Sequence, residues 1–398
     1  MPRLHVLLGA GGVGKTTLAA GYALALAQRG QRVGLLGIDP SRRLQDALDV
    51  ELSDLDAPVP RAEHLRAAIV HPHQAIQRWV LQACTEHDAV ARLEANPFFS
   101  ALGDHLATAI DILAAARIAE WAENDPALTD LVVDTAPGIA AVEFLRSPRQ
   151  IQALVTGWML RWLRAVARTG DEHFRGLRLG ARRVLGGLAS IVGSRMVVDL
   201  ADFVSQVRAP LERMLARVEY TERWLRSDTT ELLVVTSPRD TAASGAAQVA
   251  AALRGEHLRL RAVIVNRTFP EGLAAELGAV KPPAGAEPLL GYARAYASAQ
   301  ADVLAAVSAW APEVLALPSQ SALVEARRSP LAELGTSLLR GLGNDTNVDR
   351  ADEISACTST TGPAAGHRIL PARTSAHTDR PLAGTGDARP SSNDETSQ

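Results

Sequence analysis

Leu4-His5-Val6-Leu7-Leu8-Gly9-Ala10-Gly11-Gly12-Val13-Gly14-Lys15-Thr16-Thr17 decides the fold of this chain. The apolar run Leu4–Leu8 reads as a short strand, the glycines let the backbone turn tightly, and the Ala/Leu-rich stretch Thr16–Gln28 reads as a helix starting directly behind them. The stretch satisfies G-x-x-x-x-G-K-[ST], the phosphate loop of nucleoside triphosphate sites. Lys15 is one of only two lysines in a chain with 41 lysines and arginines together. An arginine-using sequence keeps lysine where a slim ammonium must thread to the β- and γ-phosphates, a path too narrow for a guanidinium fork.

The chemistry of such a loop assigns roles. Backbone N–H groups of Gly11, Gly12, Val13 and Gly14 face the phosphates, helped by the N-terminus of the following helix. Lys15 neutralises the β/γ oxygens, Thr16 ligates Mg²⁺ through its hydroxyl, and Thr17 reaches the α-phosphate. Leu131–Val133 reads as a strand ending at Asp134, the second acid that holds Mg²⁺, usually through water. Val33–Ile38 is a strand ending at Asp39-Pro40. Asp39 has two readings: a cap or turn residue before Pro40, or the group that orients and polarises an attacking water. Arg42 and Arg43 behind it either contact phosphate or face solvent.

Gly9-x-Gly11-x-x-Gly14 also fits the dinucleotide fingerprint, with Asp39 near where a ribose-binding acid would sit. A dinucleotide site has no use for Lys15-Thr16-Thr17, and Asp134 supplies what a triphosphate site requires. The triphosphate reading is therefore preferred.

Further strands are read at Leu232–Thr236, before Ser237-Pro238, at Ala262–Val265, ending at Asn266, and at Val314–Leu317, taken as the last. Helices are read at His73–Glu94 and Ala101–Ala122, broken at Asn96-Pro97. Short apolar strands alternating with helices predict an α/β fold, a doubly wound, mostly parallel sheet. Ala141–Arg226 has no clear strand and is too long for a simple crossover, so it reads as an inserted helical subdomain. Its arginines and apolar residues suit either ordinary helix packing or a surface for an apolar or acidic partner. From Gly343 to Gln398 the composition turns to Thr, Ser, Asp, Gly and Pro, which cannot bury enough apolar area to offset ordering entropy. The expected organisation is a nucleotide-binding domain over 1–342, with the insertion at 141–226, and a disordered tail over 343–398.

Hydrophobic residues make up 47% of the 398 and aromatics 4%, so Ala, Leu and Val must fill a sizeable core. A net charge of −3 gives no reason to expect nucleic acid as a partner. Cys84 and Cys357 are far apart, which argues against a disulfide framework or zinc site and for a reducing cytoplasm. Nothing in the sequence brings Cys84 together with His71 and His73 as a soft-metal site. Arg161 and Arg164 interrupt the most apolar stretch, so no transmembrane helix is expected.

Gly11-Gly12-Val13-Gly14-Lys15-Thr16-Thr17, Ile38-Asp39-Pro40-Ser41-Arg42-Arg43 and Val133-Asp134-Thr135-Ala136-Pro137 follow one another as in the ArsA-type anion-transporting ATPases. These belong to the deviant-Walker (SIMIBI) P-loop class that includes the Get-type targeting ATPases. Asn96-Pro97-Phe98-Phe99, Phe144-Leu145-Arg146-Ser147-Pro148-Arg149 and Val265-Asn266-Arg267 resemble the single-loop ArsA-like proteins of actinobacteria. The likeness runs from about Leu4 to Leu342. It implies a Mg²⁺-dependent ATPase in which Asp39 belongs to switch I and activates water, Asp134 to Gly138 form switch II, and Asn266 recognises adenine. It also implies a homo- or heterodimer with a similar ATPase, two nucleotides face to face, and a protein client or membrane-protein partner met through the helical insertion.

Several departures limit what the resemblance carries over. Deviant loops place a signature lysine just before the glycine pair, and here that position is Ala10. ArsA proper has two phosphate loops and arsenite-binding cysteines, and Get-type ATPases have a CxxC zinc clasp. This chain has one loop and no clustered cysteines.

Overall fold

Along β1 (Arg3–Gly9), Leu4, Val6 and Leu8 belong to one apolar cluster and Leu7 to another, and all four are fully buried. Side chains alternate across a strand, so burial of both sets requires helices on both faces of the sheet. β2 (Val33–Gly37), β5 (Asp130–Asp134), β6 (Thr230–Thr236) and β7 (Leu260–Thr268) repeat the pattern. The computed structural model describes residues 1–39, 41–60, 62–83, 110–138, 210, 212–270, 273–282, 285–319, 330–343 and 367–369.

Among the described residues, nine strands form one sheet in the order β3-β4-β2-β5-β1-β6-β7-β8-β9, where β3 is Ala57–Val59, β4 Ala62–Ile69, β8 Val314–Pro318 and β9 His367–Ile369. Every pairing is parallel except β3 with β4. One face is covered by α1 (Lys15–Gln28), α2 (Arg43–Leu48) and α9 (Pro330–Gly341), which supply Leu18, Leu26, Leu44, Leu338 and Leu339. The other is covered by α3 (Pro72–Ala83), α4 (Ile110–Asn124), α5 (212–225), α6 (Asp240–Gly255) and α8 (Glu287–Ser308). These contribute Ile76, Ile118, Trp224, Val249 and Val303. A short α7 (Leu273–Ala279) precedes α8. The sheet is thus doubly wound, as the alternation of strands and helices predicts.

α1 rises straight out of the glycine loop and is buried almost all round, which its run of alanines permits. It ends where Gly30, at φ 80°, donates to the Ala27 carbonyl at 2.9 Å and Gln31 donates to Leu26 at 3.3 Å. α9 then lies directly on α1: a Cβ on Gly335 would stand 1.8 Å from the Gly21 carbonyl oxygen, so only glycine allows this approach.

Two expectations are corrected. No strand is read between Val33–Ile38 and His73, yet β3 and β4 form there. Only Ala62, Leu65 and Ala67–Ile69 of β4 are buried while Glu63, His64 and Arg66 are exposed, which breaks the apolar run that would have marked it. Val314–Leu317 is not the last strand either, because His367–Ile369 pairs parallel with Val314–Ala316. Three residues drawing on one neighbour's backbone leave no periodicity to read. Within the expected insertion, α5 packs on α4, the Thr221 hydroxyl donating to the Ala115 carbonyl at 2.7 Å. Residues 141–209, Asn96-Pro97, Phe144–Arg149, Cys84, Cys357 and the tail apart from β9 and Gly343 lie outside the described residues. Among the described residues, no helix is long and apolar enough to cross a membrane.

Candidate functional site

β2 and β5 end side by side at Gly37 and Asp134, opposite Leu7 of β1, which runs on to Gly9. Ile38 donates to the Asp134 carbonyl at 2.9 Å and Gly138 to the Gly9 carbonyl at 2.8 Å, so the loops leaving the three strands are tied to one another. In an open parallel sheet this carboxyl edge is where ligands bind. Gly11 and Gly12 are exposed there, Val13 is buried, and the loop closes at Gly14 with φ 96°. Any side chain at Gly14 would be strained at this φ and would also strike Asn266, whose Nδ2 would lie 2.4 Å from the added Cβ.

Lys15, the first residue of α1, is 7% exposed and reaches back to the Ala10 carbonyl at 3.4 Å. Burial holds its ammonium below the usual lysine range, partly opposed by the carboxylates of Asp134 and Asp39. Asp134 ends β5 at 3% exposure. Burial pushes its carboxyl up to about 6 against the hydrogen bond from Thr16 and the nearby Lys15, with Asp39 adding like-charge repulsion. Its Oδ1 has no hydrogen-bond partner among the described residues. Asp39, Arg43, Lys15 and Asp134 therefore form one electrostatic cluster, in which Arg43 opposes the protonation of both Lys15 and Asp134.

Asp39 is half-buried and its Oδ1 accepts from the Ser41 backbone at 3.1 Å, the hydrogen bond of an Asx turn. The cap of α2 is Arg42, not Asp39. Arg42 and Arg43 are both exposed, and so is Thr17 in the first turn of α1. Asn266, 6% exposed at the end of β7, donates from Nδ2 to the Val13 carbonyl at 2.9 Å and so braces the loop. Ala10 rests on α6, with a Cβ on Gly245 falling 3.6 Å from its methyl.

Two contacts escaped the sequence reading as site features. Arg267, left-handed at φ 63°, donates from Nη1 to the Gly12 carbonyl at 3.2 Å. Thr135 donates its hydroxyl to the Leu7 carbonyl at 2.7 Å, pinning the start of the Asp134 loop to β1. The signal for Arg267 was its place next to Asn266. The signal for Thr135 was its place in the Val133-Asp134-Thr135-Ala136-Pro137 stretch, which does not mark its contact with β1.

The donor set fits a small hard cation. A hydroxyl, a buried carboxylate with one oxygen unclaimed and a second carboxylate nearby are oxygen ligands of the kind Mg²⁺ takes. Thr16 and Asp134 would hold it. The loop in front, closed by an ammonium, fits a polyphosphate. No group of three or more His, Cys, Asp or Glu suited to a metal is found among the described residues, and of the soft-ligand trio only His71 and His73 are described.

The chain is 25% identical over 284 residues to the ATPase ARSA1 of Chlamydomonas reinhardtii, covering 67% of this chain and 35% of that protein. It is 24% identical over 280 residues to the ATPase GET3B of Arabidopsis thaliana, covering 67% and 64%. An uncharacterized protein of Streptomyces coelicolor is 29% identical over 286 residues, covering 69% and 64%. The chain thus spans about a third of the first relative and just under two thirds of the other two. The sequence profile of the anion-transporting ATPases matches residues 3–280, which takes in β1 through α7 and every residue of the site. The chain belongs to the anion-transporting ATPase family.

Proposed function

We propose that this protein binds ATP with Mg²⁺ at the loop Gly11–Thr17 and hydrolyses it. The observation that carries the reading is the meeting of Lys15, Thr16, Asp39 and Asp134 at one sheet edge, with a buried Asp134 oxygen left unclaimed. Backbone N–H groups of Gly11 to Gly14 and the Lys15 ammonium hold the triphosphate, and Thr17 reaches its α-phosphate. Thr16 and Asp134 hold the cation, which when bound supplies positive charge against the charge developing on phosphoryl oxygens. Asp39, on a turn at the end of β2, orients the attacking water, since phosphoryl transfer to water mainly requires positioning. Asn266 sets the loop and recognises the base, which favours ATP over GTP. Nucleotide state would control a homo- or heterodimer with a similar ATPase, and a protein client or membrane-protein partner would be met through the helical insertion, in the cytoplasm.

Two variants test this. Lys15→Ala should weaken ATP binding by at least about 100-fold, near 2.7 kcal/mol, measured by calorimetry. Asp39→Asn should keep ATP affinity while turnover falls more than about tenfold, roughly 1.4 kcal/mol of barrier. Full affinity in the first variant removes the phosphate-loop assignment.

A second reading has one observation in its favour. Ala10 packs on α6 and carries no charge where the resemblance expects a lysine. An ATP-sensing subunit of a heterodimer, with little turnover of its own, would need none. Equal, negligible turnover of the parent chain and Asp39→Asn with the partner present would select this reading.

A further inference from the structure

Asn266 and Arg267 are neighbours in β7, and both reach the phosphate loop. Asn266 Nδ2 donates to the Val13 carbonyl at 2.9 Å and Arg267 Nη1 to the Gly12 carbonyl at 3.2 Å. Successive side chains of a regular strand point to opposite faces of the sheet, so two neighbours meet one loop only where that alternation is broken. The break is present at Arg267. The pairing of β7 with β8 shifts register between Asn266 and Thr268, which leaves Arg267 out of the ladder, and its backbone is left-handed at φ 63°. A one-residue bulge of this kind re-aims a side chain.

An arginine stays left-handed only where its surroundings over-determine it, and α8 supplies that constraint. Tyr296 donates its hydroxyl to the Arg267 carbonyl at 3.2 Å. One turn further along α8, Gln300 accepts from the Phe269 N–H at 2.6 Å and donates to its carbonyl at 3.3 Å. The Phe269 and Tyr296 rings pack with centroids 4.7 Å apart. The consequence for the loop follows from the trans peptide, whose C=O and N–H point in opposite directions. Holding the Gly12 and Val13 carbonyls toward β7 turns the N–H groups of Val13 and Gly14 the other way. Two successive amides then face one side, as in an anion-binding nest. Gly12 has no side chain to restrict rotation of its peptide, so that orientation has to be imposed from outside the loop.

We propose that Arg267 is a positioning residue for the phosphate loop: kept in a left-handed bulge by α8, it fixes the Gly12–Val13 peptide so that the loop's donors are preset for a polyphosphate. The proposal rests on the ATP-site reading and adds a residue that acts through Gly12 rather than on the nucleotide. A preset loop favours bound substrate and transition state alike. Loss of the brace therefore lowers the fraction of binding-competent loop and raises KM, while kcat at saturation stays unchanged.

The test compares Arg267→Gly and Arg267→Asn with the parent in the full chain. Both residues accept a left-handed backbone, so the melting temperature without nucleotide should stay close to the parent's. Calorimetry with ATP and with inorganic tripolyphosphate, each with Mg²⁺, should show both ligands weakened by the same factor, about tenfold. Arg267→Lys should restore part of the loss, and Tyr296→Phe should give a smaller loss in the same direction. Hydrogen exchange at the amides of residues 12–14 should be faster in Arg267→Gly before any ligand is added. Unchanged affinity in both variants overturns the proposal. So does a loss for ATP that tripolyphosphate does not share, which would make Arg267 a contact to the base or ribose. A fall in kcat with affinity kept overturns it too, by placing Arg267 at the reacting phosphate. Failure of the ATP-site reading looks different: the parent itself would bind neither ligand.

Discussion

β1 and β5 carry buried charge at both ends, and the two ends treat it in opposite ways. At the N-terminal edge, His5 and Asp130 are both fully buried and fully matched. His5 Nε2 meets Asp130 Oδ1 at 2.9 Å, its Nδ1 meets Glu231 Oε2 at 3.0 Å, and Arg3 Nε reaches the same Asp130 oxygen at 2.9 Å. At the C-terminal edge, among the described residues, the Lys15 ammonium donates only to a carbonyl at 3.4 Å and Asp134 keeps a buried oxygen without a hydrogen-bond partner. Burying charge is costly wherever it occurs. Where the chain supplies every partner, the cluster ties three strands together. Where it withholds them, the cost persists until a ligand arrives, which is the mark of a binding site.

The largest expected effect breaks the matched end. Asp130→Ala would strand His5 and Arg3 without their shared carboxylate and should lower stability by about 3–5 kcal/mol, read as a shift in the urea midpoint. Nucleotide affinity of the folded protein should stay as it was. A loss below about 1 kcal/mol would mean that solvent already pairs this cluster. The unmatched end should respond with the opposite sign. Asp134→Asn removes a carboxylate that burial penalises and should raise the stability of the nucleotide-free chain by about 1–2 kcal/mol, while Mg²⁺-dependent nucleotide binding falls. Destabilisation of the free chain would place Asp134 among the structural charges.

How much of this was legible follows from how the residues are spread along the chain. The phosphate loop needs its glycines, Lys15 and Thr16 in fixed order within one strand-to-helix turn, so the sequence displays them together. Asp39 and Asp134 were found because each ends an apolar strand, and the doubly wound sheet because each strand is short and apolar. The His5 cluster has no such signature. Its members come from β1, β5 and β6, with Asp130 and Glu231 lying 125 and 226 residues from His5. The same holds for Asp54, Arg78 and Glu120, where Arg78 joins Asp54 at 2.6 Å and also pairs with Glu120. β4 was hidden because exposed Glu63, His64 and Arg66 interrupt its buried residues, which obscures the period of two. Arg267 was hidden because its contact with Gly12 depends on a left-handed backbone that few non-glycine residues adopt.

The smallest effect separates the two ends by pH. Burial alone would lower the pKa of His5, but the carboxylates of Asp130 and Glu231 outweigh it, and the net shift is upward from 6.5. A raised histidine contributes stability that is fully present below 6.5 and is lost as pH rises through its folded value. Asp130 shifts the other way: burial raises it, but His5 and Arg3 take it below 3.8, so its contribution is present above 3.8 and lost as pH falls. Asp134, pushed up to about 6, favours folding below 3.8 and loses that contribution as pH rises through about 6. Stability of the nucleotide-free chain should therefore decline in two stages on going alkaline, one complete by about pH 6 and one beginning above 6.5. His5→Gln should flatten the second stage and leave the first. Asp134→Asn should flatten the first and leave the second. Urea midpoints from pH 4 to pH 9 resolve the stages, and a single variant that abolished both would mean that the two edges titrate as one cluster through β1.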